Sequence, residues 1–240
     1  MHWMTTFQCE GNLLINIGIF ARVVVAVDCI IFGFDGRQVK LLLIHRGFEP
    51  EKGRWSLMGG FVRGEEGLDI AAARVLKELT GLEGVYMKQL STFGEPRRDP
   101  VERTVSVVYF ALIDINQYAA PLSDRFRAEW FTLKKIPPLI FDHREMVTQA
   151  LVRLRQDAET QPVLFELLPA KFTLPQLQSL YEGVFSRKFD KRNFSRKVLA
   201  SGLIVRTKAK EKSGSRKGAY LFRLNKSRRT LRPVFEHIAN

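Results

Sequence analysis

The stretch that decides the fold runs Gly60-Phe-Val-Arg-Gly-Glu-Glu66-Gly-Leu-Asp-Ile-Ala-Ala-Ala-Arg74-Val75-Leu76-Lys77-Glu78-Leu79-Thr-Gly81-Leu82. Apolar residues recur at helical spacing from about Asp69 to Thr80. Glu65, Glu66 and Asp69 stand near the start, where carboxylates favour a helix N-terminus. Gly81 follows the last turn, where a left-handed residue commonly ends a helix. Positions 75, 78 and 79 are spaced i, i+3, i+4 and share one helix face. That face reads Val, Glu, Leu.

The segment resembles the Nudix box, a loop–helix–loop of pattern G-x5-E-x7-R-E-U-x-E-E-x-G-U in which U is aliphatic. Gly60, Glu66, Arg74, Leu76, Glu78, Gly81 and Leu82 match at the required spacing. Val75 and Leu79 stand where the family has glutamates. In Nudix hydrolases this face holds Mg²⁺ against a pyrophosphate, and Mg²⁺ requires oxygen ligands in near-octahedral order. One carboxylate between two aliphatic side chains does not assemble the ion cluster that activates water. The resemblance implies a hydrolase scaffold with no catalytic residue, no metal ligand set and no cofactor.

Outward from the box, residues 22–34 and 39–45 read as Val-rich strands joined by Asp35-Gly36. Trp55-Ser-Leu-Met-Gly-Gly60 follows, with Gly59-Gly60 read as a tight turn before the helix. Strands are expected at 86–94 and 103–113, separated by the charged turn Glu95–Arg103, and again at 128–131. An amphipathic helix is expected from Asp142 to about Asp157, carrying Met146, Ala150, Val152 and Leu154. Residues 13–34 are apolar, but Asn16, Arg22 and Asp28 interrupt them too often for a membrane span. Cys9 and Cys29 lack disulfide or metal spacing, which fits a reducing cytoplasm.

The net charge of +13 is placed asymmetrically. Residues 161–240 hold 18 Lys and Arg against 5 Asp and Glu, whereas residues 1–160 hold 20 of each. A neutral unit thus carries a cationic one, the footprint of polyanion binding. Thr173-Leu-Pro-Gln176 has the form of a capping box, and Leu174, Leu177, Leu180, Tyr181, Val184 and Phe185 continue it as a one-sided helix. Asp190 suits an N-cap for a second helix over 191–201. Leu203–Arg206 and Ala219–Leu224 read as strands around a basic Gly/Ser loop. Helix, turn, basic helix and hairpin is the layout of a winged helix-turn-helix. Lys191, Arg192, Asn193, Ser195, Arg196 and Lys197 would face a major groove. Lys208, Lys210, Lys212, Arg216 and Lys217 would neutralise phosphates.

The whole therefore reads as α+β: a Nudix-like α/β/α sandwich with a mixed sheet over residues 21–160, then a winged helix over 161–240. Residues 1–20 form an N-terminal arm. This arrangement resembles the bacterial Nudix-related transcriptional regulators through Trp55–Val62, Arg74–Leu82, Arg98-Asp-Pro, Phe141-Asp-His143, Phe172–Gln178 and Lys191–Phe194. The resemblance implies a homodimeric repressor that binds a double-stranded operator and senses a small molecule. The Leu57–Gly60 wording and the Val75/Leu79 pair lean toward the branch that senses a pentose such as L-arabinose, with ADP-ribose or a related nucleotide as the other effector class. Trp55, Glu66, Arg74, Glu78, Arg98, Asp99, Arg103 and Tyr109 are the candidate effector residues. The competing reading is a Nudix hydrolase of nucleoside diphosphate derivatives, with Glu95, Asp99 or Glu102 replacing the lost ligands.

Overall fold

The computed structural model describes residues 22–118, 127–211 and 218–227. The expected N-terminal arm and the wing-tip residues Lys212, Arg216 and Lys217 lie outside these.

The first unit is a seven-stranded mixed sheet between two helices. β1 (Val24–Phe34) and β2 (Val39–His45) form the expected hairpin. Gly36 takes φ +90° at its turn, and Asp35 Oδ1 accepts the Arg37 and Gln38 amides at 2.9 and 2.8 Å. β3 (Trp55–Ser56), β4 (Met58–Phe61), α1 (Leu68–Thr80), β5 (Lys88–Phe93), β6 (Thr104–Asp114), β7 (Glu129–Thr132) and α2 (His143–Thr160) follow. β1 runs parallel to β6 along its whole length, from Val24 opposite Thr104 to Phe34 opposite Asp114. Every other pairing in this sheet is antiparallel.

Alternation along β1 splits the core in two. Ile30, Phe32 and Phe34 face α2 with Leu41, Leu43, Met146, Ala150 and Leu154. Val27, Cys29 and Ile31 face α1 with Ala71, Ala72, Val75 and Leu76. Burial by helices on both sides explains why the strand reads as an almost unbroken apolar run.

One expectation is overturned between β3 and α1. Gly59-Gly60 is not a turn; it lies inside β4, paired with β1, and neither glycine has a positive φ. What excludes a side chain there is space. A Cβ on Gly59 would strike the Asp28 carboxylate, and one on Gly60 would sit 2.7 Å from Val75 Cγ2. The two adjacent glycines thus touch opposite faces of the sheet.

The second unit contains α3 (Leu174–Phe185), α4 (Lys191–Ser201), β8 (Ile204–Glu211) and β9 (Ala219–Leu224). The Thr173/Gln176 capping box forms in both directions, and Asp190 Oδ1 caps α4 through the Asn193 amide at 2.7 Å. Its core of Leu177, Leu180, Tyr181, Val184, Phe194, Val198 and Phe222 is continuous with the α2 side of the sheet. The junction is close: a Cβ on Gly183 would lie 2.8 Å from Val39 Cγ2.

Candidate functional sites

Three places gather the chemistry. The first is the outer rim of α1. Arg74 Nε donates to Glu66 Oε2 at 2.8 Å, a second guanidinium nitrogen binds Glu66 Oε1, and Nη2 reaches the Phe61 carbonyl at 3.0 Å. Glu78 accepts from Arg74 at 3.2 Å and from Arg63 at 3.1 Å. Hydrogen bonding from Arg74 pulls the Glu66 carboxyl down to about 2. Both carboxylates left in the box are therefore held by arginines. Val75 is 2% exposed and packs on Gly60, while Leu79 lies against the α1-side core. Among the described residues, no three His, Cys, Asp or Glu side chains gather as a metal site. Val75 and Leu79 thus occupy two of the positions at which the Nudix box has carboxylates.

The second place is buried on the other face of β4. Arg98 donates to both oxygens of Asp142 at 2.8 Å each, with Asp28 Oδ2 3.6 Å from the same guanidinium. Ser106 Oγ donates to Asp28 Oδ2 at 2.6 Å. His143 Nδ1 accepts the Leu57 amide at 3.1 Å, which leaves the proton of the neutral ring on Nε2, 3.6 Å from Asp28 Oδ1. Burial depresses the His143 pKa despite the Asp28 and Asp142 charges. Arg46 borders this cluster, with its guanidinium 4.0 Å from the Phe48 ring centroid and 5.8 Å from that of Phe141.

The structure sorts the expected effector residues. Glu66, Arg74 and Glu78 stand together. Trp55 packs edge-on against Phe131, centroids 4.7 Å apart, in the sheet beside the buried cluster. Arg98 is occupied by Asp142, and Asp99 accepts the Val101 amide at 2.9 Å to close its turn. Arg103 is half-buried, with two long carbonyl contacts of 3.4 Å. Tyr109 is buried under α1 and donates its hydroxyl to Asp69 at 2.6 Å, so Asp69 serves as its acceptor. Asp28, Asp142 and His143 were missed as site residues. Asp28 registered in the sequence only as a break in an apolar run, and a charge inside a fully buried strand is the signal that could have found it.

The third place is the basic surface of the second unit. Lys191, Arg192 and Arg196 are exposed on α4, with Asn193, Ser195 and Lys197 half-buried beside them. Asn193 Oδ1 accepts from Arg196 at 2.9 Å. A concavity of about 160 Å³ opens between Arg187, Lys188, Asn193 and Lys197. On β8, Lys208 and Lys210 are exposed, and Arg206 and Lys210 sit 4.2 and 4.6 Å from the Tyr220 ring centroid. Arg206 and Tyr220 were not expected as part of this surface, though Arg206 continues the Lys208, Lys210 alternation toward the strand start.

Residues 22–150 match the NUDIX domain family, and residues 164–224 match the NrtR DNA-binding winged helix domain. The ADPR-responsive transcriptional repressor NtrR of Acinetobacter baylyi is 35% identical over 194 residues, 79% of this chain and 78% of that protein. The chain belongs to the NrtR family. The crystal structure of Shewanella oneidensis NrtR complexed with a 27mer DNA superposes with a TM-score of 0.69 at 32% identity, over 86% of this chain and 99% of that one. An ADP-ribose pyrophosphatase of Methanocaldococcus jannaschii is 36% identical over 123 residues, 51% of this chain and 70% of that protein. Like other NrtR-family chains, this one is a DNA-binding regulator built from a Nudix domain and a winged helix. No helix among its described residues is long and apolar enough to cross a membrane.

Proposed function

We propose that this NrtR-family chain is a homodimeric repressor whose Nudix domain senses ADP-ribose or a close nucleotide without hydrolysing it. Support comes first from the box: Glu66 and Glu78 are both engaged by arginines, while Lys191, Arg192 and Lys197 on α4 have no carboxylate partner among the described residues. A cationic helix face without internal partners suits phosphate and base contacts. Lys208 and Lys210 on β8 extend that surface for contact with the DNA backbone.

The effector follows from the A. baylyi relative, which is described as ADPR-responsive. The lean toward a pentose finds no support among the relatives, and the residues that suggested it have packing roles. Val75 fills the space beside Gly60, Leu79 covers the core, and Gly59 clears the Asp28 carboxylate. Guanidinium groups can bind a diphosphate through paired hydrogen bonds. The Arg63/Arg74 pair beside Glu66 and Glu78 supplies them at the α1 rim, and Arg46, Arg103, Trp55 and Asp99 are further candidates. Tyr109 underlies α1 on the side of the box, whereas Arg98 belongs to the buried cluster on the other face.

Titration of labelled upstream DNA tests the reading. The chain is expected to form a salt-sensitive complex that ADP-ribose weakens and L-arabinose leaves unchanged. Release by arabinose alone, or rapid Mg²⁺-dependent cleavage of ADP-ribose without a specific DNA complex, would overturn it.

A further inference from the structure

We infer that Arg155 is the positioning residue through which the Nudix domain sets the orientation of the recognition helix α4. The inference rests on the sensing role proposed above and adds the route by which it reaches DNA.

α2 is tied down at both ends by different parts of the molecule. At its start, Asp142 receives two 2.8 Å hydrogen bonds from Arg98 of the 95–103 turn, and His143 accepts the amide of Leu57 between β3 and β4. Both anchors belong to the segments that border the proposed effector site. Thirteen residues further on, roughly 20 Å along a helix axis, Arg155 leaves the first unit. Its Nε donates to the Val184 carbonyl at 2.7 Å and its Nη2 to Ser186 Oγ at 3.3 Å.

The acceptors give these bonds their leverage. Val184 lies in the last turn of α3, where carbonyls lack intrahelical donors and a cation is favoured. Ser186 is the C-cap, left-handed at φ +54°, a conformation uncommon for a residue other than glycine. Residues 186–190 then lead directly into α4. Fixing the end of α3 therefore fixes where α4 begins. The surrounding junction is apolar, with Gly183 against Val39 and Leu177, Leu180 and Val184 in the shared core. Apolar contact is non-directional, whereas a guanidinium bridging two acceptors specifies an orientation. A shift of α2 at the Arg98–Asp142 end thus reaches α4 as a displacement through Arg155.

The alternative is that Arg155 only caps α3, in which case its loss lowers stability and leaves the response intact. The operator dissociation constant, measured by fluorescence anisotropy with and without saturating ADP-ribose, separates the two. In the unaltered chain the ratio is expected in the range of about 5- to 150-fold typical of coupled sites. Arg155→Ala should bring that ratio to within about twofold of unity, with ADP-ribose affinity by calorimetry changed by no more than about twofold. Arg155→Lys, which keeps the charge but replaces the planar two-nitrogen fork by a single ammonium nitrogen, should fall between. An undiminished ratio in Arg155→Ala overturns the inference. Should Arg155→Ala not fold, Arg155→Lys decides: a full ratio overturns, a reduced one supports. An unaltered chain that binds its operator and ignores ADP-ribose instead removes the sensing role itself.

Discussion

The two arginine–carboxylate clusters on either side of β4 are alike in chemistry and opposite in circumstance. The box cluster of Arg63, Glu66, Arg74 and Glu78 draws on sixteen consecutive positions and sits at the rim of α1. The Asp28, Arg98, Asp142 and His143 cluster joins residues 44, 78 and 86 positions apart through its hydrogen bonds, and the Arg98 side chain is 4% exposed. At the rim, water screens the exposed Arg63–Glu78 pair, so that pair contributes little to the fold, while the Arg74–Glu66 pair is largely covered. In the interior each charge depends on its partners, because an ion left alone there has no solvent to replace them. The same residue types therefore make a surface network on one side and the attachment of α2 on the other.

The largest effect follows from that contrast. Arg98→Ala leaves Asp28 and Asp142 buried without their counter-charge and should cost about 3–5 kcal/mol in urea unfolding. Arg63→Ala, at the exposed Glu78 pair, should cost no more than about 1 kcal/mol. Equal losses would mean that water already reaches the interior cluster.

Next comes the plank between them. Gly60→Ala puts a methyl 2.7 Å from Val75 Cγ2 and should destabilise by about 1–3 kcal/mol through overpacking. Val75→Ala in the same chain should recover part of that loss, since it removes the atoms in conflict. If the double variant is worse than the sum of the two, the β4–α1 spacing is not set by this contact.

The pH dependence separates the clusters further. His143 is held below its ordinary 6.5 by burial, so the unfolded chain takes up the proton first as pH falls. Stability from the neutral ring is full above 6.5 and declines below it, with a slope of at most about 1.4 kcal/mol per pH unit. Unfolding free energy measured from about pH 7.5 down to about pH 5.5, roughly one unit either side of the ordinary imidazole value, should show this slope, and His143→Gln should lose it. The smallest effect belongs to Glu66. Its folded carboxyl lies at about 2 against an ordinary 4.5, so its contribution is present above 4.5 and disappears as pH falls toward 2. Glu66→Gln should flatten only that acid limb of the melting-temperature profile, and a change near neutral pH would contradict the assignment.

What could be read in the sequence was local. Seven matched positions of the box, the Asp35-Gly36 turn, the Thr173/Gln176 capping box and the Asp190 cap all lie within a few residues of their partners, so spacing alone specified them. The cationic character of α4 and of the wing needed only counting. Where spacing gave a turn at Gly59-Gly60, the structure gave a strand, because the demand on those glycines comes from Asp28 and Val75 and not from backbone conformation.

The chain's order of residues thus settled that a Nudix frame with two carboxylates missing precedes a basic winged helix. Only the folded structure decided that Arg98 grips α2 instead of facing solvent, that Tyr109 is committed to Asp69, and that Arg155 holds α3. Periodicity reports which side of an element is apolar, whereas the partner of a polar side chain is chosen by which elements the packed core brings within hydrogen-bond reach.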